Sequence, residues 1–309
     1  MTWYMGIDEA GYGPNLGPFV MSSAMFSVPD GVTNDLWKAM QPAVRKANQK
    51  ADGRLVVDDS KQVYSPSVGI GVLEKNIWPF IQLKDNQTLD FSQLWESVCI
   101  STLQSVQHEP YLQLSQTLPF GAVSVSSQAL LQGTLAQLGI KLEQLQSCVV
   151  MPRQFNQLTK EFDSKAAVPL TCISELLAKL PANKPVQITI DRLGGRQHYL
   201  NQIRLWFPNS KLAIISETTQ CSRYQVDDRI TIQFMVQADQ QSFSVALASM
   251  LSKYWRELMM MQFNAWFVAL LPNLKPTAGY PVDATRFWND IEPIRKSHQF
   301  IVNDWWRER

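Results

Sequence analysis

Gly6-Ile7-Asp8-Glu9-Ala10-Gly11-Tyr12-Gly13-Pro14-Asn15-Leu16-Gly17-Pro18 is the stretch on which the reading of this chain turns. It follows a short apolar, β-prone run, Trp3–Ile7, and leads into a second such run, Phe19–Val28. Two strands joined by so short a Gly/Pro-rich turn predict an antiparallel hairpin. The first strand ends on two adjacent carboxylates, a pair that is costly to desolvate. The cost is offset when a divalent cation bridges the pair, because Mg²⁺ prefers hard oxygen ligands. Glycines beside the pair let the backbone approach a ligand closely. The residues alone fit a second reading equally, a solvated turn with incidental acids.

Outward from this turn, Arg54–Val57 reads as a third strand ending at Asp58-Asp59. Val186–Ile190 is a buried strand that ends on Asp191. Arg196–Phe207 has helical spacing, and Lys211–Ile215 and Arg229–Val236 are β-prone. Ser244–Leu271 predicts a long apolar helix, with Met259-Met260-Met261 as core filling. In the middle of the chain, Ser126–Leu138 predicts a helix stopped by Gly139. Cys148–Met151 reads as a strand, and Glu175–Leu180 as the end of another helix before Pro181. Strands alternating with helices indicate an α/β domain. No internal repeat or low-complexity tail interrupts it. Asp191 also reads as a turn residue, since Gly194-Gly195 follow, and Asp239 as the N-cap of the long helix. Lys61 is either a phosphate contact or a solvated loop lysine.

Composition narrows the function classes. With 45% hydrophobic residues, ten Trp and fourteen Phe, the 309 residues suit a large core rather than disorder. A formal net charge of +1 gives no global basic field, so a polyanionic partner needs a local patch. Cys99, Cys148, Cys172 and Cys221 form no C-x-x-C pair and lie far from the three histidines, which argues against zinc. They read as reduced core residues of a cytoplasmic protein. No signal peptide is expected, and the most apolar run, Phe263–Leu271, is about half the length of a membrane span.

The opening stretch resembles the D-E-A-G-R-G-P…G-P signature of type 2 ribonuclease H, with Tyr12 where that family has Arg. Further segments agree in order. Asp59-Ser60-Lys61 resembles the family's D-S-K, and Val186–Asp191 its hydrophobic strand ending in a catalytic Asp. Ala238-Asp239 followed by Ser244–Lys253 resembles K-A-D…S-V-A-A-A-S-I-L-A-K. Arg256-Glu257 stands at the family's R-D, and Gly279-Tyr280 at the G-Y of K-G-Y-G-T. The resemblance covers the ends of the chain and leaves out its middle. It implies one ribonuclease H-like domain over residues 1–309, a mixed central sheet with helices on both faces. An elaboration is expected at about 70–182 and a C-terminal helical segment at about 262–309.

It further implies that Asp8, Glu9, Asp191 and Asp239 are catalytic and hold two Mg²⁺ or Mn²⁺ ions about 4 Å apart. Gly11, Tyr12, Gly13, Ser60, Lys61, Lys253 and Tyr280 would contact the substrate, an RNA–DNA hybrid or a duplex containing ribonucleotides. The expected reaction is endonucleolytic hydrolysis of the RNA strand. Tyr12, Gln237 and Thr277-Ala278 each replace a basic residue of the family. Two alternatives follow from these losses: a different nuclease on the same scaffold, or a non-catalytic nucleic-acid-binding protein.

Overall fold

The computed structural model describes residues 1–83 and 89–308. A seven-stranded sheet runs through the molecule. Its strands are β1 (Thr2–Ala10), β2 (Phe19–Val28), β3 (Lys141–Val150), β4 (Val186–Asp191), β5 (Leu212–Glu217), β6 (Cys221–Val226) and β7 (Ile230–Met235). The order is β3-β2-β1-β4-β7-β6-β5. β1 and β2 form the expected antiparallel hairpin, in register from Thr2 opposite Val28 to Ala10 opposite Val20. β3 extends it antiparallel. β4 lies parallel to both β1 and β7, and β6 and β5 close the far side antiparallel. The expected mixed central sheet with helices on both faces is present.

Alternation along the strands sorts side chains between two cores. Val20, Ala24, Phe26 and Val28 of β2 pack with the long helix Phe243–Leu270. Phe19, Met21 and Met25 join Met5, Ile7, Ile188, Ile190 and the helix Ala167–Leu177 on the opposite face. The long helix is unbroken over 28 residues and is apolar on most of its circumference, because it lies between the sheet and an outer layer of helices. It presses on β1 at Gly6, where an added Cβ would land inside the backbone of Ser244 and Val245. No helix among the described residues is long and apolar enough to cross a membrane.

Several expectations are redrawn. The segment at about 70–182, expected as an elaboration, contributes β3 to the central sheet, so that part of it is integral to the fold. Its strand starts at Lys141, well before the expected Cys148. The strand expected at Arg54–Val57 is confined to Leu55–Val56 and pairs with Val44–Arg45 outside the central sheet. The helix expected from Arg196 begins only at Leu200, because Arg192 ties the preceding loop to the carbonyls of Thr218 and Thr219. The C-terminal segment is helical at Pro281–Asp290, Glu292–Ser297 and Val302–Trp305.

Candidate active site

Asp8 and Asp191 reach the same place through strand pairing. Ile7 lies opposite Ile190 in the parallel β1–β4 pair, so the next residues leave the C-terminal ends of neighbouring strands. Such strands are about 4.8 Å apart. On the other side of β4, Met235 pairs with Asp191. The chain then turns through Gln237 at φ 53° into the short helix Ala238–Gln241, whose first turn carries Asp239. Asp191 Oδ1 accepts from the Ala238 amide at 2.8 Å, which fixes this turn against β4. Asp191 thus also serves a helix start. Asp239 does not cap the long helix, whose N-cap is Ser242.

Adjacent strand residues project to opposite faces. Asp8 lies beneath the long helix, 7% exposed, with the Ser249 hydroxyl against it and its carbonyl accepting from Ser252 Oγ at 2.9 Å. Glu9 points the other way, into a cleft shared with Tyr12, Leu193 and Arg196. Its amide donates to Asp8 Oδ1 at 2.8 Å.

Burial raises all four acids, and a neighbouring carboxylate adds to it in each case. Burial and the neighbouring Glu9 and Asp191 charges push Asp8 well above the usual carboxylate range. Glu9 is pushed up to about 7 by burial and then by Asp191. Asp239 is also pushed up to about 7, by burial and then by Asp59. Burial raises Asp191, against the Ala238 amide and the Lys61 charge. Lys61 draws Glu9, Asp191 and Asp239 back toward their charged forms. Among the described residues no group of three or more His, Cys, Asp or Glu side chains stands in closed metal-ligand geometry. Like charges resist closing up further unless a cation offsets their repulsion. The all-carboxylate donor set suits Mg²⁺ or Mn²⁺.

Asp59 is a fifth member that sequence reasoning passed over. It is 5% exposed, hydrogen-bonds Asp239, and accepts from the Lys61 amide at 2.9 Å. Its sequence signal is the first letter of Asp59-Ser60-Lys61, where the resemblance points to Ser60 and Lys61. The preceding Asp58 is a brace, accepting from the amides of Ala47 and Asp59.

The expected substrate contacts divide. Lys61 is exposed beside the acids. Ser60 is buried, its Oγ accepting from Ser249 Oγ at 3.1 Å. Lys253 is paired with Glu257 at 2.6 Å and lies over the Tyr64 ring, while Tyr64 also donates to Glu257. Tyr280 is 54% exposed and sits beside Gly13. Gly11 adopts φ +86°, and any side chain there would strike Arg256.

The turn itself is gripped from beneath by two buried arginines. Arg256 donates to the carbonyls of Pro18, Leu16 and Ala278 at 2.5, 3.3 and 2.9 Å. Arg307 donates to the Pro14 carbonyl, and its own backbone exchanges hydrogen bonds with Asn15, both at 2.8 Å. Neither was singled out for this role, because a turn's carbonyl partners come from residues remote in sequence.

No family model and no curated protein sequence matches the chain. Several solved structures do. The ribonuclease H2 of Pyrococcus horikoshii OT3 is 15% identical at TM-score 0.47, over 98% of this chain and 92% of that one. The Archaeoglobus fulgidus RNase HII, solved with PCNA, is 13% identical at TM-score 0.42, over 99% and 94%. Bst-RNase HIII, solved with Mn²⁺, is 14% identical at TM-score 0.41, over 99% and 66%. Superpositions this loose transfer no residue roles, which rest on the geometry described above.

Proposed function

We propose that this chain is a metal-dependent endonuclease similar to type 2 ribonuclease H, which hydrolyses the RNA strand of an RNA–DNA hybrid. The observation that carries the reading is the set of acids, Asp8, Glu9, Asp191 and Asp239, each raised by burial and by a neighbouring carboxylate. Isolated buried carboxylates are unfavourable, and a group of them at strand ends marks a functional site. These four would hold Mg²⁺ or Mn²⁺. When bound there, divalent cations lower the pKa of a water and neutralise charge on the phosphate.

The protein's own groups do the rest. Because the acids must be deprotonated to hold a cation, loading would release protons from them. Lys61 adds a positive charge at the edge of the cluster. The backbone around Gly11 and Gly13 is open to a ribose, whose 2′-hydroxyl distinguishes RNA from DNA. Tyr280, exposed beside Gly13, offers a ring to the facing sugar. The hydrolysis adds water across the phosphodiester, leaving a 5′-phosphate and a 3′-hydroxyl.

The test is cleavage with and without Mg²⁺ or Mn²⁺ on four substrates: hybrid, double-stranded RNA, DNA, and a duplex with one ribonucleotide. Metal-dependent cutting of the RNA strand is expected, with a loss of at least about a hundredfold in Asp8→Asn, the scale of removing a preorganised charge. Cutting of another substrate instead identifies a different nuclease. Binding without cutting identifies a non-catalytic protein. Full activity in Asp8→Asn rules out the carboxylate mechanism.

A further inference from the structure

Behind the acids, the supports of Asp239 and Asp59 are tied to each other. Asp239 sits on the four-residue helix Ala238–Gln241, too short to hold its shape alone. That helix rests on the long helix and on β4. At its C-terminal end the Gln240 carbonyl accepts from Lys46 Nζ at 2.9 Å. Lys46 belongs to the segment that also serves Asp59. The next amide, of Ala47, donates to Asp58 Oδ2 at 2.9 Å, and Asp58 Oδ1 accepts from the Asp59 amide at 3.0 Å. Asp59 in turn hydrogen-bonds Asp239. The contacts close a ring, from Asp239 along its helix to Lys46, through Asp58 to Asp59 and back. The surroundings of Lys46 aim its side chain. Its Nζ stands 3.9 Å from the centroid of the Trp37 ring. Trp37 Nε1 donates to the Val57 carbonyl at 3.1 Å, and its ring lies edge-on to Phe243 of the long helix at 6.1 Å. Arg45 Nη1 fixes the loop from which Lys46 starts, donating to the carbonyls of Lys46 and Gln49 at 3.1 and 2.8 Å.

We propose that Lys46 is a positioning residue for the carboxylate cluster: through the Gln240 carbonyl it holds the helix that carries Asp239 against the loop that carries Asp59 when a divalent cation binds. The proposal rests on the nuclease reading above, whose acids it serves. Once deprotonated, Asp59 and Asp239 repel each other. A helix of one turn yields to that force unless it is tied. Lysine suits the task, because its charge favours the free carbonyls at a helix C-terminus. Lys46 and Gln240 both line a cleft of about 430 Å³. Shortening Lys46 therefore opens no core cavity, and the tie can be cut without unpacking the sheet.

The experiment titrates Mn²⁺ into the metal-free protein, without nucleic acid, and records the heat. Wild type is compared with three variants. Lys46→Met keeps the stem over Trp37 and loses the donor, Lys46→Arg keeps a donor, and Lys50→Met removes an exposed charge from the same loop. Melting curves in EDTA check that each variant folds, and Lys46→Gln takes the place of Lys46→Met should that one fail. Lys46→Met should bind Mn²⁺ about tenfold more weakly, the scale of one charge-assisted hydrogen bond. Lys46→Arg should recover most of the affinity. The sign separates positioning from charge. Were charge alone at work, removing a cation near the site would strengthen metal binding, so Lys50→Met should bind no more weakly than wild type. Cleavage by Lys46→Met should return as Mg²⁺ is raised, since the acids are untouched. Equal or tighter Mn²⁺ binding by folded Lys46→Met, while wild type binds Mn²⁺ and cuts hybrid, overturns the role of Lys46 and leaves the nuclease reading intact. Equal weakening in Lys46→Arg or Lys50→Met overturns the hydrogen bond to Gln240 as the cause. Wild type that takes up no Mn²⁺ overturns both readings together.

Discussion

Glu9 and Asp239 hold their protons to about pH 7, whereas carboxylates of an unfolded chain release theirs near 4. Between these values the folded protein binds more protons than the unfolded one, so its stability falls as pH rises. This contribution is complete below about pH 4 and is lost through pH 7. In EDTA, wild type should melt at lower temperature at pH 8 than at pH 5. Asp239→Asn, neutral at both, should flatten that difference and raise the melting temperature at pH 8. Mg²⁺ or Mn²⁺ should raise the wild-type value at pH 8 and the variant's by less. Identical pH profiles for wild type and Asp239→Asn in scanning calorimetry would remove Asp239 from the cluster. Of these residues, Asp8 and Glu9 were legible because they end an apolar run, and Asp191 likewise. Asp59 left only the first letter of Asp59-Ser60-Lys61 as a signal, because it reaches the site from a loop, and only the packing of distant elements decides where a loop side chain points.

At the scale of the element, glycine has opposite consequences in two places. Gly6 lies where β1 meets the long helix, and its missing Cβ is what allows that contact. Gly6→Ala should cost at least about 1–3 kcal/mol in urea unfolding, the range for overpacking a filled core. Gly133 lies within the helix Val125–Leu138 with open space around it. Gly133→Ala should stabilise by about 0.5–1 kcal/mol. If Gly6→Ala proved neutral, the helix would not rest on β1 as described. The hairpin, β4 and the long helix were readable because each has one strong hydrophobic period. β3 was half-read because its first residues, Lys141, Glu143, Gln144 and Gln146, look like a polar loop. They are edge-strand residues whose partners lie in β2, and Gln144 Nε2 donates to Ser23 Oγ across that pair at 3.2 Å. A pairing across more than a hundred residues leaves no local trace.

At the scale of the whole molecule, the terminal segment is part of the site's support. Trp306 bridges to Leu16, Glu308 donates its amide to Asn156 at 2.8 Å, and Arg307 lies under the turn. Removing residues 303–309 should speed hydrogen exchange at the amides of Asn15 and Leu16, which are held by the Gly279 carbonyl. The milder Asn15→Ala should cost about 1–3 kcal/mol, since it leaves the buried Arg307 carbonyl without its partner. Unchanged exchange in the shortened protein would mean that Arg256 and Gly279 hold the turn alone.

The same brace sets an order of events during synthesis. Asn15 and Arg307 are 292 residues apart, so at about 5–20 residues per second the ribosome takes roughly 15–60 s to make one after the other. Asp8 and Glu9 are therefore made well before the clamp that seats their turn. A nascent chain therefore carries its acids through that interval without the support that fixes them.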